Sequence, residues 1–266
     1  MDIDRITSLW PKNTRDKNAT IALWDAAAPD YGRKPKPTTQ SSAVLSLIER
    51  TGMLPKDSSA LDIGCGSGRY TQALACMCAH VTATDISPKM LYAARRIGIP
   101  NADFVLADWD DADIDALGWG GRFDLALANM TPAVDTPDAL SKMCAASRGW
   151  CLLVRPTHRT DSVTDKITAH LGIADVGSHN VDTMPLCFAL LWQMGYLPHI
   201  EYGHRTWDVR KPLDSAIQMY TDRIRIHHSI SQTDEHRIGD YLESIAEDGF
   251  IHEHVETTVV MLYWQV

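Results

Sequence analysis

The residues best placed to do chemistry lie in Ala60-Leu61-Asp62-Ile63-Gly64-Cys65-Gly66-Ser67-Gly68-Arg69-Tyr70-Thr71. Residues 60–63 are apolar apart from Asp62, as the carboxyl end of a buried parallel strand is. Three glycines follow at alternate positions, and then a helix-compatible run. Strand, glycine turn and helix together bring backbone N–H groups and a positive helix end up to a nucleotide-like ligand. The dinucleotide fingerprint needs its last glycine at the sixth position of the loop. Counted from Gly64 that position is Arg69, a bulky cation, which argues against NAD and FAD. The chain has no G-x-x-x-x-G-K-[ST] either, which excludes a P-loop.

The remaining pattern, acid-x-Gly-x-Gly-x-Gly, resembles the class I S-adenosylmethionine-dependent methyltransferases of small-molecule type. The resemblance continues past the loop. Residues 81–85 read as a second strand ending in Asp85, residues 104–109 as a third ending in Asp108-Trp109, residues 123–129 as a fourth and residues 150–154 as a fifth. Ligands of open α/β sheets bind outside the carboxyl ends of such strands. The resemblance implies S-adenosylmethionine as cofactor and S-adenosylhomocysteine as product. On that footing Gly64, Cys65 and Gly66 bring main chain alongside the methionine part, and Asp62 orients the loop or accepts from the ammonium. Asp85 accepts two ribose hydroxyls, a bidentate task suited to an ionised carboxylate. Ile86 and Met90 pack on the adenine, Asp108 accepts from its exocyclic amine beside Trp109, and Asn129 and Met130 close the floor near the sulfonium.

Methyl transfer from a sulfonium needs no proton for the leaving group, so alignment and exclusion of water carry most of the catalysis. A base is required only for an acceptor that enters protonated. His158 and Tyr31 are the candidate catalytic groups, with Arg155 beside His158. Trp24 and Tyr31 lie in a leader that resembles the segment folding over the cofactor in this family. Asn129-Met130-Thr131-Pro132 departs from the Asn/Asp-Pro-Pro-aromatic pattern of DNA-amino methyltransferases, which weakens a base-flipping reading. A small-molecule acceptor is favoured. The alternatives are an RNA or protein acceptor read through the late helices, or a module that binds the cofactor without transfer.

Composition narrows the partners. A net charge of −9 lacks the basic stripes that displace counterions from nucleic acid. No apolar run reaches the roughly 20 residues that span a bilayer. The mixed, polar opening has no export leader, and six cysteines in 266 residues make no disulfide framework. Both suit a cytoplasmic protein with reduced thiols. His252-Glu253-His254 and His227-His228 read as exposed polar faces rather than a metal site. Cys76 and Cys78 stand about 200° apart on a helix and do not share a ligand.

Positioning these groups requires strands alternating with helices, hence a right-handed, mostly parallel sheet. Ser87-Pro88 and Thr136-Pro137 are start signals for helices over 89–96 and 139–147. Further helices are expected over 3–10, 20–28, 42–50, 70–79, 162–171, 184–194, 213–226 and 233–247, and later strands over 199–207 and 255–264. The expected architecture is an α/β, doubly wound, Rossmann-like methyltransferase fold. It has seven strands, the last antiparallel, and a helical elaboration after the fifth strand. Residues 1–40 form a lid or leader, and residues 41–266 the cofactor-binding domain with a helical insertion at about 157–196. Nothing in the sequence specifies the oligomeric state.

Overall fold

The computed structural model describes residues 2–12, 15–173, 183–226 and 228–266. Seven strands form one sheet in the order β3-β2-β1-β4-β5-β7-β6. They are β1 (Ser59–Ile63), β2 (His80–Asp85), β3 (Ala102–Leu106), β4 (Phe123–Asn129), β5 (Ser147–Asp161), β6 (His199–Pro212) and β7 (Phe250–Gln265). The strand order reverses at β1, where β2 and β4 pair on either side in parallel. Only β7 runs antiparallel, to β5 and β6 alike.

Alternation along the central strands gives the sheet two apolar faces. Leu61, Ile63, Ala126, Ala128, Cys151 and Leu153 point into one core. Ala60, Leu125, Leu127, Leu152 and Val154 point into the other. On the first face lie α1 (Ile3–Ser8), α6 (Pro137–Ala146) and α8 (Met184–Gln193), through Ile6, Leu140, Met143, Cys187 and Leu191. On the second lie α3 (Ala43–Thr51) and α4 (Arg69–Ala75), through Leu45, Ile48 and Leu74. The helix start at Ser87 holds as expected: its hydroxyl accepts from the Met90 amide at 3.1 Å to open α5 (Pro88–Arg95). Thr136 opens α6 in the same way at 3.1 Å.

Three differences from the sequence reading matter for function. First, α2 (Lys17–Gly32) runs through Pro29 instead of stopping before it. Proline in a helix interior deprives the carbonyl four residues back of a partner. Tertiary ties hold the last turn in place nonetheless: Lys211 Nζ reaches Asp30 at 3.0 Å, and Trp24 meets Tyr31 edge to face. Second, α4 is shorter than expected, because Asn101 Nδ2 donates to the carbonyls of Ala75, Cys78 and Ala79 and fixes the turn into β2. Third, β5 runs on to Asp161, β6 to Pro212, and β7 begins at Phe250.

These overruns carry a satellite core. The helices α7 (Thr164–Leu171), α9 (Leu213–Arg225) and α10 (Gln232–Ile245) enclose Ile167, Tyr220, Ile224, Ile238 and Leu242 with Ile251 of β7. The helices after β5 are thus divided between the β5–β6 and β6–β7 connections, and α9 and α10 fall where helices are expected over 213–226 and 233–247. Residues 174–182 of the insertion expected at about 157–196 lie outside the described residues, as does His227. Among the described residues no helix is long and apolar enough to cross a membrane.

Candidate functional site

The glycine turn after β1 lies at the reversal of strand order and forms part of the wall of a cavity of about 1600 Å³. Its glycines serve different ends. Gly64 has φ +67°, and a Cβ there would lie 2.1 Å from Thr131 Oγ1, so the loop after β4 needs the missing side chain. Gly68 has φ +79°, and a Cβ there would lie 2.9 Å from Ala94 Cβ, so α4 and α5 approach closely only through it. This is the helix-packing task that a dinucleotide loop gives to its last glycine. The Gly66 amide donates to Asp85 Oδ2 at 2.8 Å, and the Cys65 amide to the Thr84 carbonyl at 2.9 Å.

Asp85 ends β2 and is 9% exposed. Its Oδ1 accepts from the Ser87 amide at 2.8 Å, so each carboxylate oxygen carries one backbone hydrogen bond and keeps further lone pairs. Burial pushes its pKa up, against the pull of those amides. Ile86 and Met90 line the cavity next to it. Asp62 lies under the loop: it is 2% exposed and accepts from Thr71 Oγ1 at 2.7 Å. Burial, with the Asp85 charge adding, raises its pKa to about 6. Its contact ties β1 to the first turn of α4, and Asp62 does not line the cavity. Cys65 lines the cavity, and burial pushes its thiol well up.

The third and fourth strand ends complete this half of the cavity. Asp108 lines it but faces Lys17 Nζ at 3.1 Å and Arg15 Nη2 at 3.9 Å, which ties the N-terminal segment to the β3 end. Trp109 presents an edge to the cavity, while its ring stacks on Trp119 and its Nε1 donates to the Ala139 carbonyl at 3.1 Å. Asn129 ends β4, and its Oδ1 is buried without a hydrogen bond among the described residues. Met130 takes φ +54° and donates its amide to the Val154 carbonyl at 2.8 Å. The Ser67 hydroxyl is likewise buried without a hydrogen bond.

The candidate catalytic groups separate. Tyr31 lines the cavity from α2, with Lys34 Nζ 3.9 Å from its ring centroid. His158 does not line it. A register break between Thr157 and Thr160 and a φ of +45° turn His158 into a separate depression with Met184, Phe188 and Tyr202. Arg155 is 8% exposed and holds Thr183 Oγ1 at 2.6 Å and Asp135 Oδ1 at 2.7 Å, which makes it a tie between loops. Among the described residues no group of three or more His, Cys, Asp or Glu is arranged to hold a metal.

Sequence reasoning missed Thr131 and Asp25. It also missed the wall that the strand overruns contribute, where Arg159, Asp161, Trp207, Arg223 and Glu253 face the cavity. Period-two burial along β7, with Ile251, Glu253, Val255 and Thr257 buried, was the available signal.

Reversal of strand order at a glycine turn, an acid at the end of the next strand and one antiparallel strand beside β5 define the class. The chain carries the fold and cofactor-binding core of the class I S-adenosylmethionine-dependent methyltransferases, and residues 60–148 match the methyltransferase domain family. Its similar relatives include a ubiquinone biosynthesis O-methyltransferase of Xylella fastidiosa, 31% identical over 165 residues, or 59% of this chain and 64% of the relative. Another bears the same name in Xanthomonas axonopodis, 29% identical over 136 residues, or 49% of this chain and 54% of the relative. The match thus spans between half and two-thirds of those relatives. Among solved structures, a candidate methyltransferase of Bacillus halodurans superposes with a TM-score of 0.52 at 14% identity, covering 84% of this chain and 99% of that one. The precorrin 8w decarboxylase of Methanobacterium thermoautotrophicum gives 0.50 at 16% identity, covering 87% and 93%. These last two likenesses concern the fold alone.

The site's own chemistry fits the cofactor. Two buried oxygens without partners, Asn129 Oδ1 and Ser67 Oγ, border the cavity with a carboxylate, Asp85, that has lone pairs to spare. Buried polar atoms left without hydrogen bonds are rare in folded proteins. A ligand that carries hydroxyl and ammonium donors suits such a lining.

Proposed function

We propose that this protein transfers the methyl group of S-adenosylmethionine to a small-molecule acceptor held in the same cavity. The supporting observation is the pairing of Gly66 with Asp85 at one end of a cavity of about 1600 Å³. Small-molecule sites generally enclose about 300–1,000 Å³, so this volume accommodates a donor and an acceptor together. The names of the relatives, O-methyltransferases, support a hydroxyl as the accepting group, whose proton passes to a base or to solvent as the oxygen–methyl bond forms and the methyl–sulfur bond breaks.

Bound there, S-adenosylmethionine supplies an electrophilic methyl on a sulfonium that departs without needing a proton. Asp85 accepts from the ribose hydroxyls, and its bond to the Gly66 amide fixes the loop against the methionine part. Ile86 and Met90 flank the adenine, and Asn129 Oδ1 accepts a donor near the reacting end. Helix α2, with Trp24 and Tyr31 facing the cavity, excludes water over the strand ends, which strengthens every electrostatic contact inside.

Calorimetric titration with S-adenosylmethionine and S-adenosylhomocysteine tests the cofactor, and methyl release on a panel of hydroxyl-bearing metabolites tests transfer. Binding of both with product formation is expected. Failure to bind either overturns the proposal.

A further inference from the structure

The wall opposite the glycine turn is built from the overruns of β5, β7 and β6, which lie side by side. Asp161 pairs with Val255, Val255 with Trp207, and Thr257 with Arg205. Side chains on one face of a strand recur at every second residue, so Gly203, Arg205 and Trp207 share a face. Arg205 and Trp207 line the cavity from that face, and both are half-buried. Gly203 leaves open space beside them, since a Cβ there would meet nothing within 4 Å. From β5, Arg159 brings its guanidinium to 5.3 Å from the Trp207 ring centroid.

The acids that these strands present to the cavity are all engaged. Asp161 accepts from Arg159 Nε at 3.0 and 3.1 Å and lies 3.8 Å from Arg223 Nη1. Glu253 accepts from the Thr164 amide at 3.1 Å and from Thr164 Oγ1 at 3.0 Å, and it faces the Tyr220 phenol as well. Asp208 holds His254 at 2.8 Å. On the other face Glu256 takes His204 at 3.1 Å, and near the start of β6 Glu201 takes Arg50. Arg205 is left over: among the described residues its guanidinium has no hydrogen bond, ion pair or ring contact.

A half-buried guanidinium without a partner has lost part of its hydration and gained nothing in exchange. Its N–H donors form a rigid planar fork that matches the two oxygens of a carboxylate. The Trp207 ring adds a flat surface on which an aromatic ring stacks. Same-face neighbours on a strand stand roughly 7 Å apart, within the span of one substituted benzene ring.

Resting on the methyl-transfer reading above, we infer that Arg205 and Trp207 form the acceptor subsite, and that the acceptor is an aromatic carboxylic acid carrying the hydroxyl to be methylated. Arg205 pairs with the carboxylate through two parallel N–H···O bonds, and Trp207 supports the ring. The anchored carboxylate turns the hydroxyl end of the acceptor away from the wall and toward the glycine turn.

The test uses the full chain saturated with S-adenosylhomocysteine and three probes: protocatechuate, its neutral amide, and the saturated-ring analogue with the same carboxylate and hydroxyls. Calorimetry is expected to rank protocatechuate at least about tenfold tighter than the amide, because only the acid makes a hydrogen bond between two charges. Loss of stacking is expected to weaken the saturated analogue by about fivefold. Arg205→Gln is expected to erase the preference for acid over amide, and Arg205→Lys, a charge without the fork, to keep part of it. Neither variant should lower S-adenosylhomocysteine affinity or the thermal midpoint, since no contact within the chain is lost. Equal or tighter binding of either comparison probe, no binding of protocatechuate, or an unaltered preference in Arg205→Gln overturns the inference. A fall in S-adenosylhomocysteine affinity in Arg205→Gln also overturns it, and assigns the guanidinium to the cofactor. Failure of the wild type to bind S-adenosylhomocysteine is a separate result, and it removes the methyl-transfer reading itself.

Discussion

Asp25 Oδ1 accepts from the Ser87 hydroxyl at 2.6 Å and from the Lys89 amide at 3.1 Å. The N-terminal helix α2 thereby caps the first turn of α5, two residues from the carboxylate that ends β2. Helix α2 and Asp85 are thus linked through one short chain of hydrogen bonds. An N-terminal cap of this kind contributes about 1 kcal/mol. Asp25→Ala is expected to lower stability by about that amount, and to speed amide exchange in residues 17–32 more than in the central strands. Exchange mass spectrometry with and without S-adenosylhomocysteine reads this directly, and the ligand should restore part of the lost protection.

Asp85→Ala removes the acceptor of the Gly66 amide along with the lone pairs available to a sugar. Hydrogen bonds to a charged group are worth about 1.5–3 kcal/mol, or roughly tenfold to a hundredfold in affinity. S-adenosylhomocysteine should bind more weakly by that factor in titration calorimetry. Asp85→Asn keeps one acceptor oxygen and should fall between the two.

Gly64→Ala meets two obstacles, a φ of +67° and the side chain of Thr131. The left-handed backbone alone costs about 1–2 kcal/mol. Chemical denaturation should register a larger total than that, because Thr131 Oγ1 would lie 2.1 Å from the new carbon. In a Thr131→Gly background the second part of the loss should disappear and the first remain, giving a non-zero coupling in the double-mutant cycle.

Asp62 sets a pH dependence. Its folded pKa of about 6 stands above the ordinary carboxylate value of 3.8, with burial as the main cause. The folded state therefore holds this proton more tightly than the unfolded state does. Its contribution makes stability fall as pH rises from about 4 to about 6, then level off above that. At neutral pH the penalty is about 3 kcal/mol at most. Asp62→Asn, which still accepts from Thr71, should raise the thermal midpoint at pH 8 and change it little at pH 4.

The cofactor half of the site was legible because its chemistry is local. Asp62, the three glycines and Asp85 are within one strand–turn–helix–strand unit, where spacing alone specifies who meets whom. The opposite wall of the cavity was not. Arg159, Asp161, Trp207, Arg223 and Glu253 come from four separate elements and meet only through antiparallel register and the packing of α9. Glu253 illustrates the difficulty: between two histidines it read as part of an exposed polar face. In the sheet its neighbours point outward, with His254 held by Asp208 at 2.8 Å, while Glu253 points in. The place of His158 depends on a register break too, since a bulge in β5 sets it in the separate depression and not on the cavity wall. The extent of α2 also escaped, because the contacts that carry it past Pro29 come from Lys211, far along the chain.

The overrun of β5, β6 and β7 past the ends of the other strands gives the two halves of the cavity separate mechanical supports. The donor turn hangs from the parallel strands, while the opposite wall is a cantilever stiffened by its own ladder and satellite helices. Side chains on that projecting shelf sit on other strands than the glycine turn, so the far wall of the cavity can be reshaped while the turn keeps its geometry.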